Sequence, residues 1–162
     1  MSKFHTRSDA LNFLKGGNAV FTIKSLKTDK HFTYKLSQKK TKDHDGTDIR
    51  VGNYFVRVLA GSDNQDWASS QYIGFIDPFF VNNYLRELKD PLIAGKKGKK
   101  NAPSFIALQW VLKKLATHDD TDCIDDWSVE IMHEGRCCRC NRALTHPDSI
   151  KSGIGPECAK RA

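Results

Sequence analysis

The stretch Ala19–Leu36, AVFTIKSLKTDKHFTYKL, decides the reading of the fold. Phe21 and Ile23 alternate with Thr22 and Lys24, and Phe32, Tyr34 and Leu36 alternate with Thr33 and Lys35. Successive side chains of a strand point to opposite faces, so a period of two marks two half-buried strands. The polar run LKTDK between them reads as the turn of a β-hairpin.

The neighbouring segments extend this hairpin. Gln38–Asp48, QKKTKDHDGTD, is polar throughout and reads as a loop. Asn53–Gly61 and Gln71–Ile76 read as a third and a fourth strand, with Trp67 in the polar loop between them. Toward the N-terminus, Ser8–Lys15 reads as a short helix stopped by Gly16 and Gly17. Beyond the fourth strand, Asp77 and Pro78 open a helical stretch with Phe80, Tyr84 and Leu88 at fourfold spacing. Ala94–Pro103, AGKKGKKNAP, interrupts it. A second helix then follows, with Phe105, Leu108, Val111, Leu112 and Leu115 on one face. His118–Trp127 holds an acidic loop in which Cys123 is expected to be packed, and Trp127–Met132 reads as a last short strand. The expectation is an α+β protein: an antiparallel sheet of four to five strands, two or three helices and a C-terminal zinc knuckle. Residues 1–126 form the core domain and 127–162 a metal-binding module.

The strand rings Phe21, Phe32, Tyr34, Tyr54, Phe55, Tyr72 and Phe75 are expected to be core. An aromatic sheet face that stacks single-stranded bases is the competing reading. The chain has 162 residues, enough to bury a core without disulfides. No apolar run reaches bilayer length and no signal-peptide core precedes the first helix, so a cytoplasmic location is expected. Thiols stay reduced there, and five cysteines, an odd number, suit metal better than a disulfide scaffold.

Four of the five cysteines lie in His133–Cys158, HEGRCCRCNRALTHPDSIKSGIGPEC. Cys137 and Cys140 form a CxxC knuckle, and 17 residues separate Cys140 from Cys158. Structural zinc takes four protein ligands in a tetrahedron. His133, just ahead of the knuckle, is the first choice for the fourth, with Cys138 and His146 as alternatives. The βαβ setting of a redox CxxC is missing. A site closed by four protein ligands also has no position for catalytic water, so the zinc is read as structural and the protein as no enzyme. No phosphate-cradling loop, nucleophile elbow or zinc-deaminase pattern occurs, and no small-molecule substrate is evident.

This segment resembles a small family of uncharacterised zinc-binding domains found largely in phage and bacterial proteins. The likeness rests on Gly135–Cys137, Arg139–Cys140, Arg142, Leu144–Thr145, Pro147, Ser149–Ile150, Gly153, Gly155–Pro156 and Cys158, preceded by His133–Glu134. Cys138 and Asn141 depart from the pattern, standing where that family has glycine. The resemblance spans about the last 30 residues; it implies a zinc module of phage-like origin and no particular activity.

The formal charge is +7, which favours acidic partners. Lys96, Lys97, Lys99 and Lys100 and the basic run Gln38–Lys42, QKKTK, with Arg136, Arg139 and Arg142, are candidate phosphate contacts, and Trp67 is a candidate exposed contact or a lid on the sheet. The favoured function is nucleic-acid binding, DNA or RNA, through basic loops and an arginine-rich zinc module. The alternative is a phage-encoded protein that binds and inhibits a host protein, such as a defence nuclease or a transcription component.

Overall fold

A computed structural model describes residues 1–59, 67–79, 90–96, 98–117 and 121–160. The alternating segments form one antiparallel sheet of seven strands: β1 (Ser2–Lys3), β2 (Asn18–Ser25), β3 (His31–Lys42), β4 (Asp48–Val58), β5 (Gln71–Ile76), β6 (Leu92–Ala94) and β7 (Val129–His133). Their order across the sheet is β1-β7-β2-β3-β4-β5-β6. This corrects the expected sheet of four to five strands. The added strands β1 and β6 are two and three residues long, too short to show a period of two. Four helices occur among the described residues, against the two or three expected: α1 (Arg7–Leu14), α2 (Pro103–Ala116), α3 (Pro147–Ser152) and α4 (Pro156–Lys160). The stretch with Phe80, Tyr84 and Leu88 lies outside the described residues.

The expected loop Gln38–Asp48 is mostly strand. Lys39 to Lys42 pair with Val51 to Asp48, extending the β3–β4 hairpin as a ribbon past a bulge. Only Asp43–Thr47 turns. Asp43 Oδ1 accepts from the N–H groups of Asp45 and Thr47, and Gly46 takes φ of 78°. Lys40 and Lys42 reach Asp48 at 3.3 Å, so the ribbon's polar side chains partner one another.

Alternation fixes which face is covered. Phe21, Ile23, Tyr34, Leu36, Tyr54, Val56, Ile76, Leu92 and Ile131 are buried in one core with Leu11 and Phe13 of α1 and the expected face of α2, Phe105 to Leu115. Two tyrosines tie the layers together: Tyr34 donates to the Ser104 carbonyl at 2.7 Å and Tyr54 to the Lys15 carbonyl at 3.1 Å. Thr6 caps α1 by accepting from the Asp9 N–H. The acidic loop closes over the same helix end. Ser8 donates both its N–H and its hydroxyl to Asp122, which places negative charge at the positive end of the helix. Cys123, expected to be packed, is exposed beside Asp125. Among the described residues no helix is long and apolar enough to cross a membrane.

At the end of the strand order β6 pairs, among the described residues, with β5 alone. Gln109 of α2 satisfies its backbone: the Leu92 N–H donates to Gln109 Oε1 and Gln109 Nε2 donates to the Leu92 carbonyl, both at 2.9 Å. Replacing this amide by the near-isosteric Gln109→Met leaves a part-buried N–H and C=O unpaired and should cost about 1–3 kcal/mol. Hydrogen exchange at the Leu92 amide, together with the denaturation midpoint, checks this. Unchanged protection would show that the side chain does not hold the strand.

Candidate metal centre

β7 delivers the chain to the cysteine loops. It lies between β1 and β2, with Ile131 opposite Ile23 and His133 opposite Phe21. Residues 129–133 are therefore part of the sheet, and the loops begin at Glu134. Gly135 turns the chain with φ of 79°, and its carbonyl accepts from the Leu144 N–H at 2.7 Å. Arg136 bridges Ala143, the Cys137 N–H donates to the Arg142 carbonyl, and the Asn141 N–H donates to the Cys137 carbonyl. The result is a small hairpin with a knuckle at its tip. Asn141 sits at φ of 62°, a left-handed conformation that Asn tolerates better than most residues.

The returning chain is built from two short helices. His146 caps α3 by accepting from the Asp148 N–H through Nδ1, and Gly153 ends it with φ of 75°. A Cβ at Gly153 would lie 2.3 Å from the Phe13 ring. Only glycine meets both demands. The Gly153 carbonyl accepts from the Cys138 N–H at 2.9 Å, and α4 then brings in Cys158.

The sulfurs of Cys137, Cys140 and Cys158 lie within 4.8 Å of one another. Tetrahedral Zn–S bonds of about 2.3 Å place sulfurs roughly 3.8 Å apart, so the spacing suits a metal ion. Cys137 is buried and its sulfur accepts from the Gly155 N–H at 3.3 Å. The Cys138 thiol donates to the same sulfur. Against the opposing effect of burial, this contact and the backbone N–H groups of Cys140, Gly155 and Arg139 bring the Cys137 thiol down to about 4. Burial, with hydrogen bonding to the Cys140 sulfur and the charge of Cys137, pushes Cys158 up to about 12. The surroundings thus favour negative charge on the Cys137 sulfur, and thiolates this close repel one another. A divalent cation removes that repulsion. Soft thiolates gathered in this way can hold a metal ion.

The other candidate ligands are placed differently. His133 is not in the three-sulfur group. Alternation turns it to the core face, where its ring lies 5.0 Å from Phe4 and 5.4 Å from Phe13, centroid to centroid. Its Nδ1 accepts from the Gly135 N–H at 3.0 Å, which assigns the proton of the neutral ring to Nε2. Among the described residues the buried Nε2 has no hydrogen-bond partner, although the Ile150 backbone favours the charged ring. Burial outweighs that contact and lowers the His133 pKa. Cys138 is fully buried in the core cluster, and His146 is engaged as the α3 cap.

The candidate phosphate contacts fall in two places. Arg139 and Arg142 line a cleft with Cys140, Cys158, Asn18, Lys40 and Arg50. Arg136 lines the adjoining one with Asn18, Lys35, Glu134 and Trp67. Trp67 is half-buried under the Lys35 ammonium, 5.7 Å from its ring centroid. Lys96 and Lys99 lie across the sheet beside Tyr72 and Phe75. Lys100 faces a groove between β6 and α2, and Lys97 lies outside the described residues. Lys40 belongs to the basic run Gln38–Lys42, and sequence reasoning missed Lys35, Arg50 and Arg57. Lys35 and Arg57 occupy outward positions of alternating strands, a legible signal. Arg50 is placed at the knuckle only by the ribbon, where it donates to the carbonyls of Gln38 and Arg139.

Residues 130–162, 33 of the 162, match the model of DUF6011, a family of unknown function. The match spans most of β7, the knuckle hairpin, α3 and α4. No curated protein and no solved structure matches the chain.

The seat of the knuckle on the sheet is tight. The Asn18 N–H donates to the Cys138 carbonyl at 2.8 Å, and a Cβ at Gly16 would lie 2.4 Å from Cys138 Sγ and 2.5 Å from its carbonyl oxygen. Gly16→Ala should push the loop off this seat and lower stability by roughly 1–3 kcal/mol, the cost of overpacking. A chemical melt of metal-loaded protein measures it, and an unshifted midpoint would mean that the loop does not rest on Gly16.

Proposed function

We propose that Cys137, Cys140 and Cys158 hold a structural zinc ion and that the loops it organises bind nucleic acid. Soft sulfur ligands, N–H groups directed at Cys137 and the zinc-type spacing support the first part. His133 is the fourth ligand of this reading, on condition that its Nδ1 is released from the Gly135 N–H, since an imidazole ligating through Nε2 carries its proton on Nδ1. Cobalt substitution tests this: His133→Gln should alter the visible absorption of the cobalt protein, and an unaltered spectrum would assign the fourth position elsewhere. Removing the metal should loosen residues 134–160 and leave β2–β5 protected, because those strands rest on the core. Hydrogen exchange with and without chelator reads this directly, and uniform loss of protection along the chain would contradict it.

The nucleic-acid part is carried by one observation. Cations from separate stretches of sequence, Lys40 and Arg50 of the ribbon, Arg139 and Arg142 of the knuckle, meet in a single cleft at the cysteines, which Asp48, the ion-pair partner of Lys40, also lines. Through Asn18 this cleft adjoins a second that holds Arg136 and Lys35. Clustered cations of this kind grip phosphates and release counterions. Zinc-loaded protein should bind DNA or RNA with an affinity that falls steeply with salt. Replacing Arg136, Arg139 and Arg142 by Gln should weaken binding to every sequence and reduce the salt slope by about one unit for each arginine replaced. Fluorescence anisotropy over a salt series provides the measurement. Absence of binding at low salt would overturn this reading in favour of a protein partner for the basic surface.

A further inference from the structure

The face of the sheet opposite α1 and α2 has an ordered pattern. Lys35 of β3 pairs with Arg57 of β4, which pairs with Tyr72 of β5. In the next row on the same face, Ser37 pairs with Phe55, Phe55 with Phe75, and Phe75 with Ile93 of β6. A row that begins with two cations thus runs beside a row of rings. Phe55 is 42% exposed and Tyr72 39%, and their ring centroids are 6.2 Å apart. These two were expected to be core, and they are not. A strand that buried them would need a second apolar layer, and the core lies on the other face, where Tyr34, Tyr54 and Val56 point.

The cations of this face are positioned. Arg57 donates through Nε to the Ser70 hydroxyl at 2.7 Å and through Nη2 to the Ser70 carbonyl at 3.0 Å, which fixes the plane of its guanidinium. Lys35 reaches across to Trp67. The Arg136 cleft lies at one end of the cation row, and Lys96 and Lys99 lie at the other, beside Tyr72. Exposed rings alone would fit many partners. Rings in register with a line of cations, on a chain of net charge +7, fit a polyanion whose flat apolar groups are free to stack. A duplex keeps its bases stacked inside and offers such a face only phosphates.

We infer that the ligand is a single-stranded nucleic acid laid across β3–β6, its phosphates along Lys35 and Arg57 and its bases stacked on Phe55, Tyr72 and Phe75. This rests on the nucleic-acid reading above and narrows it to a strand type and a surface. The test compares an oligothymidylate with a random duplex of equal length, on zinc-loaded full-length protein at one salt concentration. Phe55→Leu and Tyr72→Leu keep an apolar side chain on the strand and remove only the ring face. The single strand should bind at least about tenfold tighter than the duplex, and each Leu variant should lose roughly five- to one-hundredfold. The salt slope should stay unchanged in the Leu variants, whereas Arg57→Gln should reduce it by about one unit. Equal binding of both forms, untouched by the Leu variants, would overturn the stacking surface and leave phosphate binding at the knuckle standing. No binding of either form at low salt would overturn both.

Discussion

The structure depends on the position of β7 inside the sheet. This strand enters late in the sequence yet pairs between β1 and β2, so the metal loops leave from the body of the sheet. Its period of two sends Ile131 and His133 into the core and leaves Glu130 and Met132 on the other face. The aromatic contacts of His133 with Phe4 and Phe13 then join β7, the N-terminal segment and α1 in one packed group. Burial holds the imidazole toward its neutral form, and the Gly135 N–H sets its tautomer. The turn that starts the knuckle hairpin is thereby fixed to a core side chain before the first cysteine is reached.

The charge distribution follows from the same arrangement. Several aspartates in and around the acidic loop act structurally near the N-terminus: Asp122 receives Ser8, and Asp125 receives His5 with Lys3 nearby. These contacts lie around the start of α1. Arg136, Arg139 and Arg142 lie on the knuckle loop, which seats at Asn18, the first residue of β2. The acidic loop and the arginine-bearing loop are therefore held against different parts of the molecule. A modest net charge can then produce a concentrated local field.

The parts of this fold legible in sequence were those with a repeating signal. The hairpin Phe21–Leu36 and the buried face of α2 show periods of two or four, and their buried side chains lie where the pattern put them, whereas a register shift breaks the alternation of Gln71–Ile76. The ribbon Lys39–Arg50 was hidden because both of its faces are polar, and hydrophobic alternation cannot report a strand that buries little. The cysteine cluster was legible through spacing, since three sulfurs at a knuckle and a helix converge. The placement of His133 was not, because chain proximity to the knuckle and the parity of the strand point in different directions. Parity is the stronger guide, since it is enforced by every residue of β7 together. The exposure of Phe55 and Tyr72 could not be read from one strand alone. Each sits at an outward position of an alternating segment, but only the register of β3 with β4 and of β4 with β5 shows the cations beside them.

The two unusual surfaces of the molecule are connected through one residue. Asn18 borders the arginine cleft at the cysteines and also the cleft that contains Lys35 and Trp67. Its N–H holds the Cys138 carbonyl, one residue from the buried ligand sulfur. Any force that orders the three sulfurs therefore also fixes the hairpin carrying Arg136 against the edge of the aromatic face. A short hairpin of about ten residues has no stability of its own in water. The Gly16 seat supplies part of the missing constraint by close packing, and the three gathered sulfurs offer a second point of constraint, since together they can hold a cation.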